Sequence, residues 1–304
     1  MSAILPFLQL CRLPTVFTAI ADVFLGYLLV HRSLRSGTEQ TVTDFLLLLG
    51  ATSGLYLSGM VFNDVFDRRQ DAAERPHRPI PSGRVSLRAA VLFGGSLMLV
   101  GLVCAAIVGW STFVVAGMLA ICVLAYDGGL KRTPVGPVGM GSCRFLNLIM
   151  AASSDWLRFE QVWWRPQLWV AAGMGVYIAG VTWFARTEAR HSSRRQLAGA
   201  AMVVNLGLTV LFGWASQWPS QQTAAVFFAL GVIVLTINRR LLLAILDPAP
   251  ARVQAAIKTA LLSIIVLDAT LVYTKLGPEG TVAAVAVAGL VLPALLLERW
   301  IRLT

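Results

Sequence analysis

Uncharged apolar stretches long enough to cross a lipid bilayer recur along this 304-residue chain. Residues 45–63 and 166–185 contain no charged side chain, and a membrane-spanning helix needs about 20 apolar residues. Residues 89–126 and 196–238 are also uncharged, but each is long enough for two helices. Only 13% of all residues are charged, against about 25% in soluble domains. The chain is therefore predicted to be an all-α membrane protein, which excludes a soluble enzyme, a disordered chain and a nucleic-acid-binding domain.

These stretches predict a bundle of nine or ten transmembrane helices in one polytopic domain that covers residues 1–304. The fifth helix is the least apolar, because Arg144 lies inside it. No basic segment precedes the first apolar stretch, so we expect that stretch to be a membrane span and not a cleaved signal peptide. The predicted helices are residues 7–30, 44–66, 87–108, 111–127, 138–154, 167–186, 197–214, 222–243, 255–275 and 280–298.

Basic residues are distributed unevenly between the two ends of this bundle. If the N-terminus and the loops after even-numbered helices lie on one side, 20 of the 25 Lys and Arg residues fall on that side. Cytoplasmic loops carry the excess of Lys and Arg in membrane proteins. We therefore expect these loops in the cytoplasm and the protein in the cell inner (plasma) membrane. The loops after helices two, four and six are long and charged, which is typical of functional segments.

The second predicted helix ends in three aspartates that share one helical face. Asp64, Asp67 and Asp71 have the spacing i, i+3, i+7, which places them within about 60° of one another around the helix. Carboxylates this close repel one another unless a cation joins them. Mg²⁺ prefers oxygen ligands and usually shares one or two carboxylates with phosphate oxygens and water.

The loop after these aspartates adds the guanidinium groups that recognise phosphate. Its basic side chains include Arg75, Arg78 and Arg84. Arginines alone would also suit an ordinary cytoplasmic boundary, but that alternative does not explain three acids on one face. The pattern predicts a site for a metal-bound diphosphate at the membrane edge.

The same residues resemble a known family. The patterns NDxxDxxxD (residues 63–71) and RPxRPIPSG (residues 75–83) resemble the first aspartate-rich motif of the UbiA superfamily of intramembrane prenyltransferases. Arg12, YDxxLK (residues 126–131) and MGxxRxxN (residues 140–147) are also similar to that family. The resemblance extends over helices one to seven.

The resemblance implies a helical bundle around a lipid-facing central cavity, capped by three long cytoplasmic loops. It implies Mg²⁺-dependent transfer of an isoprenyl group from a prenyl diphosphate to an acceptor, often aromatic, within the bilayer and without nucleic acid. The implied metal ligands are Asn63, Asp64, Asp67 and Asp71, and the implied catalytic residues are Asp64, Asp67 and Lys131. The candidate substrate-binding residues are Arg12, Asn63, Arg75, Arg78, Arg84, Tyr126, Lys131, Asn147 and Glu188.

Residues 182–191 depart from the family pattern, which places a second aspartate-rich motif after helix six. This segment has one acid, Glu188, and no aspartate. Three interpretations follow: Glu188 serves a reduced metal site, Arg186 and Arg190 replace metal charge with fixed charge, or catalysis has been lost. The run TWFARTEAR (residues 182–190) resembles the EboC-like branch of the family.

Two other classes of function suit parts of the pattern. A non-catalytic binder or carrier of prenyl-lipid diphosphates would keep the first acidic motif and not the second. A secondary anion transporter would also place basic residues in a helical bundle, usually with inverted repeats and broken helices. Asp22 and Asp268 lie inside apolar spans, where an acid either has a function or is neutral or paired.

Overall fold

Twelve α-helices make up most of the part of the chain that the structure, a computed structural model, describes: residues 5–31, 39–155, 167–188, 191–218 and 223–300. Within these ranges the chain forms helices, short 3₁₀ turns and loops, and no strand. The helices are α1 (Leu5–Cys11), α2 (Val16–Val30), α3 (Glu39–Glu74), α4 (Leu87–Val108), α5 (Trp110–Gly128), α6 (Gly136–Ala152), α7 (Gln167–Ala185), α8 (Arg194–Ala215), α9 (Thr223–Leu246), α10 (Pro250–Leu276), α11 (Thr281–Gly289) and α12 (Val291–Trp300).

Eight segments of the described chain are long and apolar enough to cross a membrane. The first joins α1 and α2, and the last runs from α10 into α12. The predicted fifth helix forms as α6, but its 17 residues are not among the eight. The predicted all-α membrane bundle is therefore confirmed, whereas the number of nine or ten spans is not.

Two predicted helices are interrupted where a proline follows. The first breaks at Arg12, whose φ of 45° lies in the left-handed region, and a 3₁₀ turn over Leu13–Thr15 follows. Pro14 disfavours a continuous helix here, because it lacks an N–H and its ring would clash with the carbonyl four residues earlier, that of Leu10. The predicted helix 280–298 divides at Leu290 into α11 and α12. Pro293 follows three residues later, and in a continuous helix its ring would clash with the carbonyl of residue 289.

The helix that carries the three aspartates is longer than its apolar part. We predicted residues 44–66, but α3 has 36 residues and continues to Glu74, so it is roughly 54 Å long at 1.5 Å per residue. A bilayer core is about 30 Å thick. The polar turns after Asn63 therefore extend the helix beyond its apolar part, and one rigid element holds all three carboxylates.

Small residues allow the helices around the site to pack closely. At Gly54 of α3, an added Cβ would lie 2.6 Å from the backbone oxygen of Leu97 on α4, and Gly101 of α4 faces the same contact. Glycines at such crossings are typical of membrane helices. Tyr177 of α7 is fully buried and donates its hydroxyl to the Ala260 carbonyl of α10 at 2.8 Å. These contacts fix the helices that surround the central cavity described below.

Large apolar side chains cover the outer surface of the bundle. Exposed apolar patches of this extent mark contact with lipid in a membrane protein. Examples on α4, α8 and α9 are Leu92, Leu99, Ile107, Met202, Phe228 and Leu235.

Candidate active site

Two of the three aspartates on α3 share one arginine. Asp64 and Asp71 are buried, and Nη1 of Arg78 lies 3.4 Å from Oδ1 of Asp64 and 2.7 Å from Oδ2 of Asp71. Arg78 reaches this position because the loop after α3 folds back, with hydrogen bonds from Ser82 N to the Arg78 carbonyl and from Val85 N to the Pro79 carbonyl. A guanidinium between two carboxylates relieves their mutual repulsion.

The break between α1 and α2 brings a second arginine to Asp64. Nη2 of Arg12 donates to Oδ1 of Asp64 at 2.6 Å. Leu10 and Cys11, just before the break, pack with Val61 and Val65 of α3. Arg12, a candidate substrate-binding residue, therefore lies beside the first acidic motif in the fold.

Asp67, the remaining aspartate of the three on α3, faces the end of α5. Nζ of Lys131 donates to Oδ2 of Asp67 at 2.6 Å and lies 3.6 Å from Oδ1 of Asp127. Asn63 donates its side-chain amide to the same Asp127 oxygen at 2.8 Å, and Arg132 donates to Oδ1 of Asp67 at 3.1 Å. Lys131 therefore joins Asp67 and Asp127 in the same way that Arg78 joins Asp64 and Asp71.

This arrangement differs from the predicted four-ligand metal cluster. Within the described ranges, no three His, Cys, Asp or Glu side chains lie close enough together to hold a metal ion. The carboxylates instead form two pairs, each with one cation between its members. Helix geometry places the three aspartates on one face, but Asp67 turns toward α5 because Lys131 and Arg132 lie there. Two carboxylates with nearby phosphate oxygens form a donor set that suits Mg²⁺, so each pair fits the ion without a third acid.

Three further predicted residues lie around the edge of this group. Arg84 is exposed and donates to Gln9 Oε1 at 2.9 Å and to the His77 carbonyl at 2.6 Å, so it ties the loop to α1 and does not join the carboxylates. Arg75 is exposed near Glu188. Burial raises the pKa of the Glu188 carboxyl, and the positive charge of Arg75 opposes that rise. Arg190 of the same segment lies outside the described residues.

A cavity of about 270 Å³ opens beneath the charged group, between α2, α3, α5, α6, α7 and α10. Asn63, Tyr126 and Asp127 line the end next to the carboxylates, which we call the mouth. Apolar side chains line the middle, among them Leu55, Met60, Leu119, Val123, Ile178 and Leu261. The predicted residue Tyr126 therefore lies where an apolar chain would meet a charged headgroup.

The other end of the cavity is polar and is held by a buried network. Asn147 donates to the Ala19 carbonyl and to Asp22 Oδ2, each at 3.1 Å, and accepts a hydrogen bond from Thr52. Nε of Arg144 lies 2.7 Å from the same Asp22 oxygen. Asn147 thus lines the cavity, where a substrate-binding residue would lie, and also joins α2, α3 and α6.

The two acids inside apolar spans belong to this network. Asp22 and Asp268 are fully buried. Asp22 pairs with Arg144, and Asp268 lies near Asp22, but neither carboxylate oxygen of Asp268 has a hydrogen-bond partner among the described residues. The alternative in which an acid within a span is paired with a polar neighbour is therefore confirmed for Asp22.

Asp127 and Arg132 are members of the charged group that we did not select from the sequence. Asp127 stands inside the motif YDxxLK, four residues before Lys131, and that spacing places the two side chains on one side of a helix end. This spacing is the feature of the sequence that points to Asp127. The hydrogen bond between Asn63 and Asp127 joins residues 64 apart along the chain, which no local pattern contains.

Comparison with known proteins identifies the family. The UbiA prenyltransferase family matches residues 23–246. The chain belongs to this family. The EboC-like resemblance, which is more specific, stays a prediction.

The UbiA relatives with curated functions match part of the chain. Digeranylgeranylglyceryl phosphate synthase from Metallosphaera sedula is 32% identical over 163 residues, which cover 52% of this chain and 55% of that protein. The synthase of the same name from Methanothrix thermoacetophila is 36% identical over 108 residues, or 36% of this chain and 39% of that protein. The chain thus spans about half the length, or less, of these two relatives.

Solved structures of UbiA homologues share the fold over most of the chain. The apo homologue from Aeropyrum pernix K1 has a TM-score of 0.69 at 18% identity, with 84% of this chain and 96% of that chain covered. The homologue from Archaeoglobus fulgidus bound to GPP and Mg²⁺ has a TM-score of 0.58 at 14% identity, with 85% and 99% covered. At these identities the comparison establishes the fold.

Proposed function

We propose that the protein transfers an isoprenyl group from a prenyl diphosphate to an acceptor in the membrane, with Mg²⁺ as cofactor. The observation that carries this proposal is the mouth of the apolar cavity, where two pairs of carboxylates each hold one cation between their members. An isoprenyl diphosphate likewise consists of a charged headgroup and an apolar chain. The Archaeoglobus fulgidus homologue bound to GPP and Mg²⁺ supports the choice of ligand.

The charged group would bind the diphosphate by exchanging partners. Asp64 with Asp71, and Asp67 with Asp127, would hold Mg²⁺, which neutralises the charge that develops on the leaving group. Arg78 and Lys131 now lie between these carboxylates. Arg78 and Lys131 would donate to phosphate oxygens, and Arg12 would donate from the side of α1.

The cavity would protect the reactive carbon from water. When the carbon–oxygen bond to the diphosphate breaks, its electron pair leaves with the diphosphate and the isoprenyl carbon becomes electrophilic. A nucleophilic atom of the acceptor then bonds to that carbon and the acceptor loses a proton. The apolar side chains in the middle of the cavity exclude water, which would otherwise react with the isoprenyl carbocation.

We place the mouth on the cytoplasmic side of the cell inner membrane, within one prenyltransferase domain over residues 1–304. The excess of Lys and Arg in the loops at this end supports that orientation. The loops after α3 and α5 supply Arg78 and Lys131, so the side that is rich in basic residues is also the side of the site.

The test is turnover of prenyl diphosphates by the purified full-length protein. The protein is incubated with Mg²⁺, geranyl or geranylgeranyl diphosphate and a membrane lipid extract, and released pyrophosphate and prenylated lipids are measured. We expect both products from the wild type and neither from the Asp64→Ala, Asp67→Ala double variant. Full activity in the double variant would overturn the proposal. Retention of the diphosphate without release of pyrophosphate by the wild type would favour the binder or carrier.

A further inference from the structure

Three helices deliver a charged residue to the mouth of the cavity in the same way. Asn63 of α3, Asp127 of α5 and Thr182 of α7 all line the cavity. Four residues after each stand Asp67, within α3, and Lys131 and Arg186, just beyond the ends of α5 and α7. The first two are members of the charged group described above. The third, Arg186, follows the cavity-lining residue of α7 at the same spacing.

The contacts of Arg186 place it at this mouth. Its Nη2 donates to the Thr133 carbonyl, in the loop after α5, at 2.7 Å. It is close enough to Tyr126, which lines the mouth, to act on that side chain electrostatically. The end of α7 is therefore joined to the loop that carries Lys131.

Arg186 differs from the other cations of the group in its partners. Arg12, Arg78, Lys131 and Arg132 each pair with an aspartate. Over the ranges that the structure describes, no carboxylate forms an ion pair with Arg186, which is exposed and makes its hydrogen bond to a backbone oxygen. Its charge is thus not compensated by an acid, and most of its donors are available to a ligand.

A diphosphate at this position needs such a charge. The backbone carbonyls at the C-terminal ends of α5 and α7 face this end of the bundle and disfavour an anion. The four aspartates of the group add negative charge until a metal binds them. A guanidinium can donate to two phosphate oxygens at once, and it does so without a metal.

We propose that Arg186 binds the diphosphate directly from the α7 wall, as a substrate-binding residue opposite Arg78. This inference rests on the proposed function, because it assigns a further ligand for the same diphosphate. It chooses fixed guanidinium charge over Glu188 as the contribution of the α7 end to the site. Arg186 holds the leaving group at the mouth while the isoprenyl chain extends into the cavity.

The test uses inorganic pyrophosphate and Mg²⁺ with the purified full-length protein in detergent, and measures binding by calorimetry. Arg186→Gln removes the charge but keeps a donor for the Thr133 carbonyl, so it separates anion binding from a structural role. The matched control is Arg194→Gln, because Arg194 is also exposed and donates to a backbone carbonyl, that of Leu246, at 2.8 Å. The unfolding temperature of each variant is measured in parallel.

We expect Arg186→Gln to weaken pyrophosphate binding at least tenfold, Arg186→Lys to weaken it less, and Arg194→Gln to leave it unchanged. Equal binding by the wild type and Arg186→Gln would overturn the inference and leave the proposed function intact. Equal weakening by Arg186→Gln and Arg194→Gln would also overturn it, since loss of any basic charge would then explain the result. Absence of pyrophosphate binding by the wild type would overturn the proposed function itself.

Discussion

The two ends of the cavity contain the same kinds of side chain in different surroundings. At the mouth, Arg78 is 9% exposed between two buried aspartates, but Arg12 is 29% and Arg132 is 60% exposed, so part of the charged group reaches water. At the inner end, Arg144 is 9% exposed and its partner Asp22 is fully buried. Ion pairs near water are weak and exchangeable, whereas breaking a buried pair leaves a charge without compensation. The exposed ion pairs of the mouth, those of Arg12 and Arg132, can therefore exchange their partners for a ligand, while the inner end holds helices together.

The largest effect is expected from removing the buried cation. Arg144→Ala leaves Asp22 without its guanidinium, and loss of one partner of a buried pair costs about 3–5 kcal/mol. Unfolding in detergent, followed by circular dichroism, measures this loss. The Asp22→Ala, Arg144→Ala double variant should lose less than the single variant, because no charge stays uncompensated. If the double variant is the less stable of the two, the buried pair is not the cause.

At the mouth, the expected effect is on activity and not on stability. Lys131→Gln should lower the rate of pyrophosphate release about 10²–10³-fold, as loss of one preorganised electrostatic contact does, with little change in unfolding temperature. Arg252→Gln is the control, since Arg252 pairs with Asp247 at 3.0 Å on the exposed surface. A large fall in stability of Lys131→Gln would mean that the mouth is as structural as the inner end.

A smaller effect is expected from one hydrogen bond of the inner network. Thr52→Val removes the donor to Asn147, and hydrogen bonds between membrane helices contribute about 0.6–1.7 kcal/mol. Thr236→Val is a matched control, because the Thr236 hydroxyl donates to Val232 within its own exposed helix at 2.7 Å. Equal unfolding free energies for the two variants would show that this contact between α3 and α6 adds no stability.

The smallest effect is expected at the edge of the mouth, and it depends on pH. Burial raises the pKa of Glu188, so the protonated form is favoured in the folded state and its stabilisation is lost as the pH rises through the raised pKa. Glu188→Gln removes that loss. The variant should therefore gain unfolding temperature over the wild type at about pH 7.5 and not at about pH 4. A gain of the same size at both values would contradict this assignment.

The sequence predicted those parts of the molecule that depend on local spacing. The charge-free stretches identified the spans, and the i, i+3, i+7 spacing identified the aspartate face of α3. The breaks at Arg12 and Leu290 had a local signal in Pro14 and Pro293, which the apolar pattern masked because both prolines lie inside long hydrophobic runs.

The partners of the charged residues could not be predicted in this way. Arg12 and Asp64 are 52 residues apart along the chain, and Lys131 and Asp67 are 64 apart. Periodicity describes one helix at a time, whereas these pairs depend on how helices lie against one another. For the same reason the sequence indicated one cluster of three carboxylates, whereas the fold keeps Asp64 with Asp71 and places Asp67 with Asp127.

The left-handed residue at the start of α2 has a mechanical consequence. Because the helix is interrupted at Arg12, the segment before it packs against α3, with Leu10 and Cys11 in contact with Val61 and Val65. Two separate contacts with α3 hold this segment, the apolar packing of α1 and the link from Arg12 to Asp64. The guanidinium is in this way anchored to the helix that carries its partner, whereas α2 is tied to α6 through Asp22 and Arg144.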